Sequence, residues 1–231
     1  MPETTRHRFA MLAFDWDGTL FDSTARIARC VQLAVADVGG TVPTLEQARW
    51  VIGMELGEAL AKAAPDVPPS AYRELANRYR YHYLQHQDDL VLFDGVLELL
   101  QRLKQRGFVL AVATGKSRRG LNHVLASLDV RHLFDDSRTA DETAGKPHPL
   151  MLQELMQSWD VAPEQLLMIG DTSHDLQMAR NAGCPSLAVT YGAHAGEGLG
   201  AYAPLAVAES VAALSRWLEQ CAEPAPRASA P

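Results

Sequence analysis

Four short stretches of this chain are apolar at nearly every position: Phe9 to Phe14, "FVLAVAT" (Phe108–Thr114), "QLLMIGD" (Gln165–Asp171) and "PSLAVTY" (Pro185–Tyr191). A strand with one face in water alternates apolar and polar side chains, whereas a strand covered on both faces does not need to. Runs of this length and character predict strands of a parallel sheet buried between two layers. Helical patterns lie between them: "GVLELLQRLKQRG" (Gly95–Gly107), "GLNHVLASL" (Gly120–Leu128), "PLMLQELMQSW" (Pro149–Trp159) and "DLQMARNAG" (Asp175–Gly183). Two of these close on glycine, a frequent helix stop. The alternation predicts an α/β fold: a doubly wound, Rossmann-like, mostly parallel sheet with right-handed crossovers.

One block breaks the alternation. From Asp22 to Asp89 the periodicity is helical throughout, punctuated by Gly39-Gly40, Pro43 and "PDVPPS" (Pro65–Ser70). The expected organisation is an α/β core of residues 1–21 and 90–221, an inserted all-helical cap of residues 22–89, and a Pro/Ala-rich tail, 222–231, expected to be disordered.

Composition excludes several classes. A 231-residue chain that is 47% hydrophobic can bury a sizeable core. A net charge of −7 argues against nucleic acid or an anionic membrane as the main partner. Three scattered cysteines without metal spacing fit a reducing, cytoplasmic setting, and no run approaches the ~18 apolar residues of a membrane span.

The strong polar clusters sit at the carboxyl ends of the expected strands, the edge where open α/β sheets bind ligands. They are Asp15-Trp16-Asp17-Gly18-Thr19, then Thr114-Gly115-Lys116, then Gly170-Asp171-Thr172-Ser173-His174-Asp175, with Lys146 of "AGKPHP" in a loop before a helix. Carboxylates converging on one edge repel unless a cation joins them, and an all-oxygen ligand set selects a hard ion such as Mg²⁺. A lysine, a threonine hydroxyl and loop amides are donors for an anion, most naturally a phosphoryl group. An aspartate between the two can attack phosphorus, and a carboxylate two residues on can move protons. Trp16, pointing the other way, is expected to be packing.

The order DWDGT, ATGKS, GKPHP, GDTSHD resembles the haloacid dehalogenase superfamily of phosphohydrolases, in particular its phosphoglycolate-phosphatase-like branch with a helical cap after the first strand, from about Phe9 to Leu218. The resemblance implies that Asp15 is the nucleophile and Asp17 the general acid/base, also binding Mg²⁺ through its backbone carbonyl. Thr114, Gly115 and Lys146 would hold the phosphoryl group. Asp171 would complete a metal set of Asp15, Asp17, Asp171 and Asp175, the last as an outer ligand or an orienter of Lys146. The cap loop would bring Gly53 and Glu55 nearest the substrate, a small phosphorylated metabolite with phosphoglycolate as the default. Members that cleave carbon–halogen bonds lack the second carboxylate, so Asp17 favours phosphoryl transfer.

Other readings compete. A phosphosugar mutase would keep the same intermediate and return the group to a sugar. A response-regulator receiver would be shorter, without a helical insertion. A non-catalytic phosphate-binding regulator would bind without turnover. "TGKS" suggests a P-loop, but position 110 is Leu110, not glycine. His82 and His86 have metal-ligand spacing on a helix, yet no Glu follows His82, so a structural or solvated pair is expected. "DDSRTADETAGKPHP" (Asp135–Pro149) lacks the Gly-Gly-Asp that typical phosphoglycolate phosphatases carry before the lysine, and Gly192–Pro204 is Gly/Ala-rich. Substrate identity is therefore open, as is the choice between monomer and homodimer.

Overall fold

The computed structural model of the protein describes residues 6–85, 91–194 and 196–225. In chain order the elements are β1 (His7–Phe9), β2 (Met11–Phe14), α1 (Thr24–Asp37), α2 (Leu45–Trp50), α3 (Leu56–Ala63), α4 (Tyr72–Leu84), α5 (Val96–Gln105), β3 (Val109–Thr114), α6 (Arg118–Ser127), β4 (Asp136–Thr139), α7 (Leu150–Trp159), β5 (Leu166–Gly170), α8 (Ser173–Ala182), β6 (Ser186–Val189), α9 (Gly196–Leu199), β7 (Val207–Ala208), α10 (Val211–Cys221) and β8 (Ala222–Pro224).

The four apolar runs supply the central strands of a six-stranded sheet, ordered β4-β3-β2-β5-β6-β7 and parallel throughout. Counted by appearance, that order is third, second, first, fourth, fifth, sixth: the doubly wound arrangement, whose reversal point lies at β2. Period-2 geometry explains why these strands carry no polar side chain except at their ends, Thr114 of β3 and Ser186 of β6. Leu12 and Phe14 of β2 join Leu110, Val112, Leu167 and Ile169 beneath α5, α6 and α10. Met11 and Ala13 face the other way with Val109, Ala111 and Met168, against α7 and α8. Truncating Leu12 or Phe14, both fully buried, would cost about 2–5 kcal/mol.

The edges depart from expectation. Phe9 to Phe14 is not one strand: the chain bends at Ala10, and Phe9 ends β1, which pairs in parallel with β8. The tail expected to be disordered from Ala222 therefore begins as a strand. Ala222 and Ala225 are buried, and backbone pairing asks nothing of small side chains. Residues 226–231 lie outside the described region. The polar β4 (Asp-Ser-Arg-Thr) and the two-residue β7 are edge strands that an apolar-run criterion does not detect.

Between β2 and α5 the regular structure of the described chain is helical apart from two isolated bridges, Asp17 to Phe21 and Phe21 to Leu92. Helices α1 to α4 enclose an apolar cluster of their own, including Val31, Val35, Val51, Leu60 and Leu75. Local chemistry fixes their ends: Thr44 and Gln47 form a reciprocal capping box on α2, and Glu55 caps α3. The expected end of this block at Asp89, and His86, lie outside the described residues. Within it, His82 Nε2 is 2.7 Å from Asp37 Oδ2, a structural partner rather than a metal. Among the described residues no helix is long and apolar enough to cross a membrane.

Candidate active site

β2 runs straight into Asp15, at the sheet's reversal point. Hydrogen bonds from the Leu20 and Phe21 amides to the Trp16 carbonyl close the turn that follows, and Gly18 adopts φ +86° within it. A side chain on Gly18 would meet Asp171 Oδ2 at 2.2 Å, so only glycine lets the turn lie against that carboxylate. Trp16 is fully buried against Phe21 and Phe134, as expected of packing. The period-2 alternation thus continues past the strand end and aims Asp15 away from that apolar layer.

Three carboxylates converge, Asp15, Asp171 and Asp175, each buried, with oxygens within 4.8 Å of one another. Lys146 is wholly buried between two of them: its Nζ donates to Asp175 Oδ1 at 2.6 Å and lies 2.7 Å from Asp15 Oδ1. The ammonium therefore neutralises Asp15 at Oδ1, while Asp15 Oδ2 is buried with no hydrogen-bond donor among the described residues. Asp171 is held at both oxygens, by the Thr19 hydroxyl (2.8 Å) and the Ala193 amide (2.7 Å). Asp175 is also fully engaged: besides Lys146 it accepts from the Thr172 amide (3.0 Å) and hydroxyl (2.7 Å), as the third residue of the capping box that starts α8.

The electrostatics follow from burial. Removal from water holds the Asp15 carboxyl well above the usual range; Lys146 opposes this, while Asp175 and Asp171 add to it. Burial, with Asp175 adding to it, pushes Asp171 up to about 7. Burial alone would lower the Lys146 ammonium, but Asp15 and Asp175 outweigh it and raise it. Three carboxylates against one ammonium leave a formal charge of −2 (−3 + 1). Unpaired buried charge of that size is costly, and oxygen-only donors around it fit a hard divalent cation.

Asp17 sits apart from this cluster. Its carboxylate accepts from the Ser23 hydroxyl (2.6 Å), and Lys116 Nζ lies 2.8 Å from its other oxygen. Lys116 also reaches the Tyr83 hydroxyl on α4 (3.3 Å) and is raised by Asp17 against the lowering effect of burial. In the sequence Lys116 belongs to the strand-end cluster Thr114-Gly115-Lys116 and to a failed P-loop pattern, but nothing there assigns it a partner; the pairing with Asp17 is visible only in the fold. Thr19 and Ser23 gave no signal beyond being polar residues in the turn after Asp15. Thr114 is buried at the end of β3, its hydroxyl accepting from the Lys116 amide at 3.2 Å.

The α2–α3 loop closes over these groups. Gly53 (φ +89°) is so near that a Cβ would lie 3.3 Å from Thr172 Oγ1 and 3.8 Å from Asp15 Oδ2. A Cβ on Gly115 would fall 2.4 Å from the carbonyl oxygens of Gly53 and Met54. Glu55 lies beside Gly145, but its carboxylate is used in capping α3. His174 does not join the carboxylates: its Nε2 and that of His194 each lie 2.9 Å from the Trp50 carbonyl, fastening the end of α2 to the core. Arg118 pairs with Glu142 at 2.7 Å.

With sheet order, strand-end carboxylates and buried lysine in place, the class is a doubly wound hydrolase with an acidic, lysine-bridged centre. Residues 12–189 match the model of the haloacid dehalogenase-like hydrolase family, and the chain belongs to that family. It is 36% identical over 196 residues to a phosphoglycolate phosphatase of Aliivibrio fischeri, covering 81% of this chain and 86% of that protein. It is 33% identical to one of Vibrio vulnificus, covering 91% and 96%. A haloacid dehalogenase-like family protein of Streptococcus pneumoniae superposes with a TM-score of 0.79 at 26% identity, covering 91% of this chain and 98% of that one. A hydrolase of Pseudomonas syringae gives a TM-score of 0.83 at 22% identity, covering 93% and 100%.

Proposed function

We propose that this hydrolase is a phosphatase that cleaves a small phosphorylated metabolite through a transient phosphoryl group on Asp15. The observation that carries the reading is Asp15 itself: a buried carboxylate with the Lys146 ammonium 2.7 Å from Oδ1 and, among the described residues, no hydrogen-bond donor at Oδ2. Such an oxygen keeps a lone pair available for attack on phosphorus. Lys146, with Thr114 and the Gly115 amide, would take the phosphoryl oxygens. Asp175, occupied at both oxygens, would act by holding Lys146 in place rather than as a direct ligand.

Asp17 would protonate the departing alkoxide and later take a proton from the water that hydrolyses the acyl phosphate. Ser23 and Lys116 fix its carboxylate for that task. A bound Mg²⁺ fits the residual −2 charge; Asp15, Asp171 and the Asp17 backbone carbonyl would hold it, and it would offset the charge of the phosphoryl group. The helical block would shield the centre from bulk water, with Gly53 at its nearest approach. The names of the relatives make phosphoglycolate the reference substrate, and the three buried free cysteines support a cytoplasmic setting.

Phosphate release from a panel of phosphomonoesters tests this. Asp15→Asn should abolish turnover while leaving the fold intact, Asp17→Asn should slow it about 10²–10⁴-fold, and chelation should silence the wild type until Mg²⁺ is restored. An Asp15→Asn enzyme keeping more than about a tenth of wild-type kcat would defeat the nucleophile assignment.

A further inference from the structure

A cavity of about 710 Å³ opens from Asp17 between the helical block and the core. Its volume is within the ~300–1,000 Å³ range of pockets that enclose drug-sized ligands. The five heavy atoms of a glycolate leaving group, at a water molecule's share of ~30 Å³ each, fill on the order of 150 Å³. The walls on the cap side are mostly apolar: Ile27, Val31, Ile52 and Leu60, with Tyr79 and Tyr83, whose rings stack 6.0 Å apart.

The charges on the wall point the same way. Glycolate carries a carboxylate that needs a cation when enclosed. Among the described lining residues Lys116 is the least exposed cation, and it already faces Asp17 at 2.8 Å. Arg80 and Arg119 are exposed, while Glu55 and Asp141 add negative charge to the same wall. A small anionic leaving group would therefore leave most of the cavity wet and find the least exposed ammonium taken.

We infer that the substrate is a phosphomonoester of a bulky alcohol with an apolar ring face, which lies against Tyr79 and Tyr83 while the phosphoryl group reaches Asp15. The inference rests on the phosphatase reading and narrows it. A ring-bearing alcohol desolvates the aliphatic wall, a gain glycolate cannot make, and it presents no second charge to Glu55 and Asp141.

The test is kcat/KM of the Mg²⁺-supplemented wild type on ethyl phosphate, phosphoglycolate and 2-phenylethyl phosphate. All three release primary alcohols, which limits differences in leaving-group reactivity. The ring-bearing ester should exceed both others by about tenfold or more. Ala59 lines the same wall, so a folded Ala59→Phe should raise KM for 2-phenylethyl phosphate about tenfold; Ala59→Leu serves if Phe prevents folding. Phosphoglycolate turned over as well as or better than 2-phenylethyl phosphate would overturn the inference and leave the phosphatase reading standing. An unchanged KM in the folded variant would likewise overturn it. Phosphate release from none of the three would fail the phosphatase reading itself, and the inference with it.

Discussion

Replacing Lys146 by Met removes one positive charge from the interior and little volume. Lys146 has no exposed surface, and its Nζ lies 2.7 Å from Asp15 and 2.6 Å from Asp175. Without it the centre's formal charge goes from −2 to −3. Taking away one partner of a buried ion pair costs about 3–5 kcal/mol, because the other partner stays buried and uncompensated. Proton uptake relieves part of this, since burial has already moved Asp15 and Asp171 toward protonation. At about 2–4 °C per kcal/mol for a chain of this size, the metal-free variant at pH 7 should melt roughly 6–20 °C below wild type. Thermal unfolding followed by circular dichroism in EDTA reads this directly. Titration with Mg²⁺ adds a second readout: the more negative centre should gain more from the cation, so Mg²⁺ should raise the variant's Tm further than the wild type's. A variant that melts within about 2 °C of wild type, or gains less from Mg²⁺, would refute the reasoning that uncompensated carboxylate charge dominates this centre.

Two further perturbations are worked from particular contacts. Gly115→Ala places a methyl group 2.4 Å from the carbonyls of Gly53 and Met54, where ordinary contact begins at 3.4 Å, so the α2–α3 loop must retreat by about 1 Å. A displacement of that size is expected to lower kcat/KM about hundredfold with little change in Tm, and a loss under threefold would show that the loop does not close on Gly115 during turnover. Asp37 is held below the usual carboxylate range by hydrogen bonds from His82 and Arg78. A depressed carboxyl stabilises the fold above its ordinary pKa of 3.8 and ceases to as pH falls through its lowered value. Asp37→Asn should therefore unfold at lower urea than wild type at pH 7, with the difference narrowing below pH 3.8; equal midpoints at pH 7 would contradict the pairing.

The parts of this fold legible in the sequence are those where burial dictates residue type on both sides. β2, β3, β5 and β6 have neighbours on both edges and helices on both faces, so polar side chains are confined to the strand termini, as at Ser186 and Thr114. β4 has one neighbour, and its Arg138 pairs with Asp136 and Glu154 instead of packing in oil, so the run reads as loop. β8 is held by backbone bonds to β1, which leave no trace in a Pro/Ala-rich stretch. Function showed the same asymmetry. Strand ends and a loop single out Asp15, Asp171, Lys146 and Lys116 alike, whereas the partners of Lys116, Asp17 and Tyr83, are set by tertiary contact.

Asp175 shows why local and chemical readings of one residue need not compete. The family resemblance makes it an outer metal ligand or an orienter of Lys146, and its place in the first turn of α8 makes it a helix cap as well. Thr172 and Asp175 exchange hydrogen bonds across the first turn of α8, satisfying amides that a helix start leaves unpaired. That bond commits one oxygen and fixes the rotamer, which presents the other oxygen to Lys146 at 2.6 Å. Gly170 admits this arrangement, since a Cβ there would fall 2.4 Å from the Asp175 carboxyl carbon. The helix cap therefore sets the position of the lysine, and through it the charge beside Asp15. A helix that frayed at Thr172 would release Lys146 as well, so the integrity of α8 and the electrostatics of the centre rise and fall together.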